Sequence, residues 1–264
     1  SNSLTYIPGY AFYQTGITSI DIPSSVRTIE AWAFVYSGLT SVTLHEGLTS
    51  IAGFRATNLT TIKIPSTVTS IDGATFYQCR SLTSVVCLPT TPPTLGSSVF
   101  DDTNNCPIYV PAESVAAYKA ASVWSIYSAR IYPIAQVATV DNTPVYNYDL
   151  GMTSTTMITS TNMQKMPTGT SLELAEGIVD AGGSFGNYTS ITLPSTFSSF
   201  DDQGMIGNTT TTLTCLATTP PTAERNDIGG ANLTAIYVPA ANVADYQANA
   251  TWSSFSSIIQ AISA

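Results

Sequence analysis

The chain has 264 residues, of which 44% are hydrophobic and only 9% are charged, and its formal net charge at pH 7 is −9. Its 8 Lys and Arg residues form no cluster that would displace counterions from phosphates, which argues against nucleic acid or an anionic membrane surface as a partner. No apolar run is long enough to span a bilayer. Serine and threonine fill the polar positions instead, which favours a secreted or surface-attached protein.

A sequence unit recurs through the first half of the chain. Related segments begin at Ile17, Leu39, Leu59 and Leu82, at successive spacings of 22, 20 and 23 residues. Leucine and isoleucine at fixed offsets with this period are typical of a solenoid, in which each unit buries its apolar side only against its neighbours. One unit alone is therefore not expected to fold.

Within the unit that begins at Leu59, the segment 59–64 alternates apolar and polar residues and predicts a strand that ends at Pro65. A second extended piece covers 68–71, and a turn at Asp72 and Gly73 leads to Phe76. Stacking of the units predicts three buried ladders. They are Ile20, Val42, Ile62 and Val85; Ile29, Ile51 and Ile71; and Phe12, Phe34 and Phe76.

The segment IKIPSTVTSIDGATFYQC, residues 62–79, resembles the BspA-like leucine-rich repeats of bacterial surface proteins, whose pattern is close to LxxIxIPxxVxxIxxxAFxxCxxL. Ala11-Phe12 and Ala33-Phe34 also match, Gly53-Phe54 lies in a shortened loop, and Thr75 stands where the family prefers alanine. The resemblance covers most of the chain. It implies a mostly β, leucine-rich-repeat-type solenoid, similar to a right-handed β-α/β superhelix, in a non-enzymatic cell-surface or secreted bacterial protein.

Residue 1 falls inside a repeat unit, because residues 4–12 align with residues 26–34. We therefore expect the native chain to have had residues before Ser1, among them a secretion or lipoprotein signal.

A longer internal duplication relates residues 85–134 to residues 213–262, which align without a gap and are identical at 22 of 50 positions. Each copy contains a strand, then Pro111 or Pro239 at a helix start, then a tryptophan. We interpret each copy as a strand-helix cap that covers the end of a repeat array, because an uncovered ladder would leave apolar side chains and a sheet edge in water. The caps predict two tandem arrays, residues 1–136 and a shorter, degenerate array of residues 137–264.

The segment of about 136–170 matches no repeat unit and is rich in threonine, asparagine and methionine. It is either a flexible linker or a degenerate N-terminal cap for the second array. Alternating apolar residues near Val137 and Val145 indicate strands and favour the cap.

The four cysteines, Cys79, Cys87, Cys106 and Cys215, are too few for a disulfide scaffold and show no CxxC or Cys/His spacing. Cys79 matches the inward-facing cysteine of the family pattern, and Cys87 and Cys215 occupy matching places in the duplication. We interpret the cysteines as small buried packing residues, with a disulfide or a metal site as the alternatives.

Residues that might carry chemistry are sparse. His45, the one histidine, replaces the proline that ends the strand in neighbouring units, and a solvent-facing position there does not favour a general base. The carboxylate pairs Asp101-Asp102 and Asp201-Asp202 are interpreted as solvated turns, with a loosely bound cation at 101–105 as the alternative. No nucleotide-binding or hydrolase motif occurs. We expect no enzyme, no cofactor and no metal.

The remaining candidates are surfaces. Aromatic residues take equivalent places in consecutive units, and a hydroxyl-rich strip follows the outward side of the strands, ending at Ser84 and Val86. The candidate ligand-binding residues are Tyr10, Tyr13, Trp32, Tyr36, Tyr77, Asp21, Thr43 and Lys63.

Three functions remain open from the sequence. The family resemblance implies a monomeric module that binds protein or mediates adhesion. A rival is a glycan-binding component of a surface nutrient-capture system, which an exposed, flat aromatic stripe beside a groove would favour. A structural spacer is the third.

Overall fold

A computed structural model describes residues 4–201, 206–228 and 232–263. The chain divides into two compact units, Ser1–Ile134 (unit 1) and Ala135–Ala264 (unit 2). Each unit is a solenoid of short parallel strands, which confirms the predicted leucine-rich-repeat-type fold.

Unit 1 winds through successive coils, and each coil contributes a strand to each of two faces. One face is a five-stranded parallel sheet, and the other holds a pair of strands followed by a four-stranded parallel sheet. The strands are β1 (Tyr6–Ile7), β2 (Ser19–Asp21), β3 (Thr28–Ile29), β4 (Ser41–Thr43), β5 (Ser50–Ile51), β6 (Thr61–Ile64), β7 (Ser70–Ile71), β8 (Ser84–Cys87), β9 (Thr94–Leu95), β10 (Ile108–Val110) and β11 (Ile131–Pro133).

The sheet orders alternate along the chain, as a solenoid requires. The first sheet runs β1-β3-β5-β7-β9, and the opposite face holds β2-β4 and then β6-β8-β10-β11. The N–H of Thr60 donates to the carbonyl of Thr40 at 3.2 Å, which links the coils of β4 and β6. The cap of unit 1 follows β10 and contains a 3-10 helix (Ala112–Ser114), helix α1 (Val115–Ala120) and a second 3-10 helix (Trp124–Arg130).

Unit 2 repeats this plan with fewer coils. A seven-stranded sheet and a three-stranded parallel sheet face each other. The elements are β12 (Gln136–Val140), β13 (Thr143–Tyr146), α2 (Asn147–Leu150), β14 (Met157–Ile158), α3 (Ser160–Met163), β15 (Ser171–Leu174), β16 (Asp180–Ala181), β17 (Ser190–Leu193), β18 (Ser199–Phe200), β19 (Thr212–Cys215), α4 (Arg225–Ile228), β20 (Ala235–Val238), a 3-10 helix (Ala240–Asn242), α5 (Val243–Ala248), a 3-10 helix (Trp252–Ile258) and β21 (Ile259–Ala261).

The segment that begins unit 2 is folded rather than a linker. Strand β12 pairs antiparallel with both β13 and β15, so the β12-β13 hairpin covers the first repeat strand of the seven-stranded sheet. Val137, Val140 and Val145 are buried in the core of unit 2. The hairpin turns at Asp141 and Asn142, whose φ angles of 47° and 65° suit a type I′ connection.

A stack of phenylalanine rings runs through the core of unit 1 and confirms the predicted ladder of Phe12, Phe34 and Phe76. Neighbouring rings are nearly parallel, with centroids 4.9 Å apart for Phe12 and Phe34. The stack also contains Phe54, between Phe34 and Phe76, and Phe100, which lies 5.6 Å from Phe76. The sequence ladder omitted Phe54, which follows a shortened loop, and it also omitted Phe100, which ends the unit that begins at Leu82.

Threonine hydroxyls tie successive coils together. The Oγ1 of Thr69 donates to the carbonyl of Thr49, and the Oγ1 of Thr94 donates to the carbonyl of Thr69, at 3.2 and 3.0 Å. Unit 2 has the same arrangement at Thr189, which donates to the carbonyl of Thr170 at 2.9 Å. The abundance of threonine therefore has a structural use, because these hydroxyls satisfy carbonyl groups along the coil.

The two caps close their units in the same way. The indole N–H of Trp124 donates to the carbonyl of Pro93 at 2.7 Å, and that of Trp252 donates to the carbonyl of Pro221 at 2.9 Å. Both tryptophans are almost fully buried. Each indole N–H thus donates to a carbonyl group of the last coil, which would otherwise accept a hydrogen bond from a further coil.

All four cysteines are free and buried, which confirms their interpretation as packing residues. The hydroxyl of Tyr246 donates to the Sγ of Cys215 at 3.0 Å, and Tyr118 lies 3.4 Å from the Sγ of Cys87 at the equivalent place in unit 1. Burial raises the pKa of the Cys87 thiol to about 12 and raises the pKa of the Cys215 thiol.

The prediction that the hydroxyl-rich strip extends outward to Ser84 and Val86 is wrong. Ser84 and Val86 are buried, at 6% and 5% exposure. Val86 is in register with Tyr109 of β10, a fully buried residue, and in-register residues of adjacent strands lie side by side on one face. The alternation of polar and apolar residues predicted that Val86 would be exposed, but the ring of Tyr109 lies beside it and shields it from solvent.

The residues three positions after Phe34 and Phe54, Ser37 and Thr57, are small, polar and buried. The Oγ1 of Thr57 donates to the carbonyl of Phe54 at 2.9 Å, whereas the buried Oγ of Ser37 has no hydrogen-bond partner among the described residues. We expect Thr57→Val to lower the free energy of unfolding of unit 1 by about 1 kcal/mol, because a buried hydrogen bond is lost. Ser37→Ala should leave the free energy of unfolding unchanged or raise it by up to about 1 kcal/mol, because this variant removes a buried hydroxyl that makes no hydrogen bond among the described residues.

Urea denaturation followed by circular dichroism measures both variants. Equal destabilisation by Ser37→Ala and Thr57→Val would contradict the distinction between a paired and an unpaired hydroxyl.

Asp141 should make the stability of unit 2 depend on pH. Hydrogen bonds from the backbone and hydroxyl of Thr170, and then from those of Ser171, hold the pKa of the Asp141 carboxyl well below its usual range. A carboxyl whose pKa is lower in the folded state stabilises that state above its unfolded pKa of about 3.9, and this contribution disappears as the pH falls toward the folded pKa. Asp141→Asn should therefore be less stable than the native chain at pH 6, and the difference should shrink below about pH 4.

Thermal unfolding at several pH values between 2 and 7 tests this expectation. A difference between Asp141→Asn and the native chain that stays constant over this range would contradict it.

Candidate interaction surface

The turn that leads into each stacked phenylalanine has an unusual backbone. The residue two positions before the phenylalanine has a left-handed conformation in four coils, with φ angles of 64° at Tyr10, 68° at Trp32, 55° at Ala74 and 54° at Ser98. This conformation costs a residue other than glycine roughly 1–2 kcal/mol, and it is rare for bulky side chains. The first two coils nevertheless place large aromatic residues there.

Four aromatic residues of the first two coils form one cluster, which we name the aromatic patch: Tyr10, Tyr13, Trp32 and Tyr36. The rings of Tyr10 and Trp32 are stacked at 5.7 Å with an interplanar angle of 13°. Tyr13 lies at the centre, because its ring is 5.6 Å from Tyr10, 6.2 Å from Trp32 and 6.3 Å from Tyr36. The structure thus brings together four of the candidate residues.

The aromatic patch is open to solvent. Tyr10 is 61% exposed, Trp32 is 40% exposed and Tyr36 is 47% exposed. Large apolar side chains that are exposed next to one another, rather than singly, mark interaction surfaces more often than they mark ordinary surface. Tyr and Trp are also the residue types enriched at the centres of protein interfaces.

Tyr77 lies two coils away from Tyr36 and continues the same turn. The guanidinium of Arg55, in the coil between them, lies 5.0 Å from the centroid of the Tyr77 ring, a cation-π arrangement. The backbone N–H of Tyr36 donates to the carbonyl of Arg55 at 3.1 Å, which places these side chains on adjacent coils. Arg55 was not among the candidate residues, because an arginine outside any motif gives no signal in the sequence.

The other three candidate residues lie on a different side of the coil. Asp21, Thr43 and Lys63 are exposed on β2, β4 and β6, with Asp21 in register with Thr43. Asp21 also pairs with His45, whose Nε2 is 2.6 Å from the Asp21 Oδ1. The pairing joins residues one coil apart, as the repeat period places them.

The carboxylate pairs do not form a metal centre in the described part of the chain. Asp101 accepts a hydrogen bond from the hydroxyl of Tyr127 at 2.8 Å, and Asp202 lies outside the described residues. Among the residues that the structure describes, no three His, Cys, Asp or Glu side chains are grouped to hold a metal ion. Within the same residues, no helix has the length and apolar character needed to cross a membrane.

The left-handed backbone of Tyr10 makes a specific stability prediction. Glycine adopts this conformation without strain and alanine does not, so Tyr10→Gly should be more stable than Tyr10→Ala by about 1 kcal/mol. At an ordinary extended position alanine would be the more stable of the two. Urea denaturation of both variants measures the difference, and an advantage for alanine would contradict a strained backbone at residue 10.

A family model described as the BspA type leucine-rich repeat region matches residues 5–122 with 6 copies. A comparison with curated proteins gives no match. The match confirms the resemblance for unit 1, although it ends within the cap of that unit and does not extend to unit 2.

Two solved structures are similar to this chain. The pneumococcal vaccine antigen PcpA is 14% identical with a TM-score of 0.35, and the alignment covers 98% of this chain and 83% of that one. A leucine-rich repeat protein from Bacteroides ovatus is 16% identical with a TM-score of 0.29, and the alignment covers 90% of this chain and 65% of that one. The family match therefore applies to residues 5–122, which are similar to a leucine-rich repeat region of the BspA type.

Proposed function

We propose that this chain is a non-enzymatic repeat protein of the bacterial cell surface or exterior, and that it binds another protein through the aromatic patch. The observation that carries the proposal is the position of Tyr10 and Trp32, which are exposed side by side on a backbone that disfavours bulky residues. The family match and the low content of charged residues support a surface location.

The packing of the patch favours a protein ligand over a glycan. Tyr10 and Trp32 turn ring faces toward each other, and Tyr13 meets Tyr10 and Tyr36 at interplanar angles of 71° and 73°. A sugar ring docks against an open aromatic face, whereas a protein partner also packs against ring edges and accepts hydrogen bonds from tyrosine hydroxyls. The patch therefore resembles a preformed, tyrosine-rich contact surface.

The exposed strip of Asp21, Thr43 and Lys63 is a second contact surface in this proposal. It carries both signs of charge within one sheet face, and charges at the rim of an interface affect the association rate more than the affinity. We therefore assign the binding energy to the aromatic patch and a steering role to the strip. The chain acts as a monomer in this proposal.

Binding to purified extracellular-matrix proteins and to a glycan array, run side by side, tests the function. Trp32→Ala should weaken binding to a protein ligand at least tenfold, because removal of a large aromatic residue from a binding surface costs more than about 1.4 kcal/mol. Alanine is tolerated at this turn, since Ala74 occupies the equivalent place. Ile126→Ser is the matched control, because Ile126 is 74% exposed in the cap and outside the patch.

Binding of glycans alone, reduced by Trp32→Ala, would replace the proposal with the rival function in nutrient capture. Binding of neither class would favour the spacer. Equal loss in Trp32→Ala and Ile126→Ser would remove the patch from the interface.

A further inference from the structure

Two arginines in the described part of the chain lie on tyrosine rings, and their surroundings differ. The guanidinium of Arg130 lies 4.9 Å from the centroid of the Tyr127 ring and also donates to the carbonyl of Phe100 at 3.3 Å. The guanidinium of Arg55 lies 5.0 Å from the centroid of the Tyr77 ring, but it donates to no acceptor among the described residues. Arg130 is therefore satisfied by its own unit, whereas Arg55 is not.

The donors of Arg55 are arranged for an acceptor that the described residues do not supply. Its Nε is buried and has no hydrogen-bond partner among these residues. The side chain as a whole is only half-buried, and its two terminal nitrogens are not among the buried atoms without a partner, so they are open to solvent. The chain has 17 Asp and Glu residues, yet no carboxylate in its described part is paired with Arg55. A guanidinium has five N–H donors and no acceptor, and protein polar groups that are partly buried usually find partners.

Arg55 belongs to the same row of turn residues as the centre of the aromatic patch. Tyr13, Arg55 and Tyr77 each directly follow a phenylalanine of the core stack. Val35 takes this place in the coil between Tyr13 and Arg55, and it is buried. Neighbouring strands lie about 4.8 Å apart, so the backbones of Tyr13 and Arg55, two coils apart, are separated by about 10 Å. The row thus continues the aromatic patch with a cationic group.

We propose that Arg55 binds a side-chain carboxylate of the protein partner, and that Tyr77 holds the guanidinium in position for it. This inference rests on the proposed function, since it names the chemistry of the partner that covers the aromatic patch. Arginine presents a planar fork of donors that matches a carboxylate with two parallel hydrogen bonds. Stacking on a ring fixes the guanidinium before the partner arrives, which lowers the entropy lost on binding.

The spacing of the row determines where the acid lies in the partner. Successive residues of an extended segment are about 3.3 Å apart, so a separation of about 10 Å corresponds to roughly three residues. We therefore expect Asp or Glu about three positions from the large apolar or aromatic residue that packs on the patch. Because the chain carries a net charge of −9, its overall field disfavours an acidic segment, and the pairing with Arg55 selects the partner locally.

A random dodecapeptide library displayed on phage and selected on the intact chain is the probe. The selected sequences should carry Asp or Glu at the expected spacing from an aromatic or large apolar residue, and Trp32→Ala should not select them. Selection on Arg55→Gln should give sequences without the acid. Lys119→Gln is the matched control, because it removes one positive charge from an exposed position of the cap and should select the same sequences as the native chain.

A synthetic copy of a selected acidic peptide makes the test quantitative. Its affinity, measured by calorimetry, should fall at least tenfold in Arg55→Gln or when glutamine replaces the acid, and both changes together should cost no more than either alone. Arg55→Lys keeps the charge but lacks the fork, so its affinity should be intermediate. Arg55→Glu should bind the peptide that has lysine in place of the acid, which a misfolded variant would not do.

Selected sequences without an enriched acid, additive losses in the double change, or equal losses in Arg55→Gln and Lys119→Gln would overturn the inference. Peptides that depend on Trp32 but not on Arg55 would remove Arg55 from the interface and leave the proposed function standing. Selection that Trp32→Ala does not affect, or no selection of any peptide, would overturn both.

Discussion

The distance between neighbouring strands is the constraint on which the rest of this structure depends. Strands that share main-chain hydrogen bonds lie about 4.7–4.9 Å apart. The phenylalanine rings of the first three coils are stacked with centroids 4.9 Å apart, so the ring spacing equals the strand spacing. The hydrogen bonds between coils therefore place each ring in van der Waals contact with the next. The core of unit 1 forms in this way from the coils themselves, without helices packed between them.

Every group at the end of a coil must be satisfied by the next coil or by a substitute. Threonine hydroxyls such as those of Thr69 and Thr94 reach back to carbonyl groups of the preceding coil. At the last coil of unit 1 the indole N–H of Trp124 donates to a carbonyl group in place of a further coil. In unit 2 the indole N–H of Trp252 and the hydroxyl of Thr251 both donate to carbonyl groups of the last coil. The composition of the chain, with many hydroxyl groups and few charges, follows from this need for short donors between closely spaced coils.

The sequence predicted the features that depend on periodicity. Phe12, Phe34 and Phe76 were assigned to one ladder from their spacing, and the structure adds Phe54 because a coil can absorb a shortened loop without moving its ring. Alternation of polar and apolar residues did not predict the burial of Val86, because burial there depends on the neighbouring Tyr109. The pattern within one strand carries no information about the size of a residue on the next.

The candidate surface was predictable in part. Tyr10 and Trp32 were matched across units by sequence, but the central position of Tyr13 requires the geometry of the turn. The left-handed backbone of both residues also gives no sequence signal, since glycine is absent from those positions.

The buried thiols have a consequence for studying this protein. Only a thiolate reacts readily with alkylating reagents, and a thiol with a pKa near 12, such as that of Cys87, is almost wholly protonated at neutral pH. Because Cys79 and Cys87 lie in unit 1 and Cys215 lies in unit 2, the rate at which each becomes labelled reports how often its own part of the solenoid opens. The chain thus carries natural probes of local opening in both halves, with no need to introduce a reporter group.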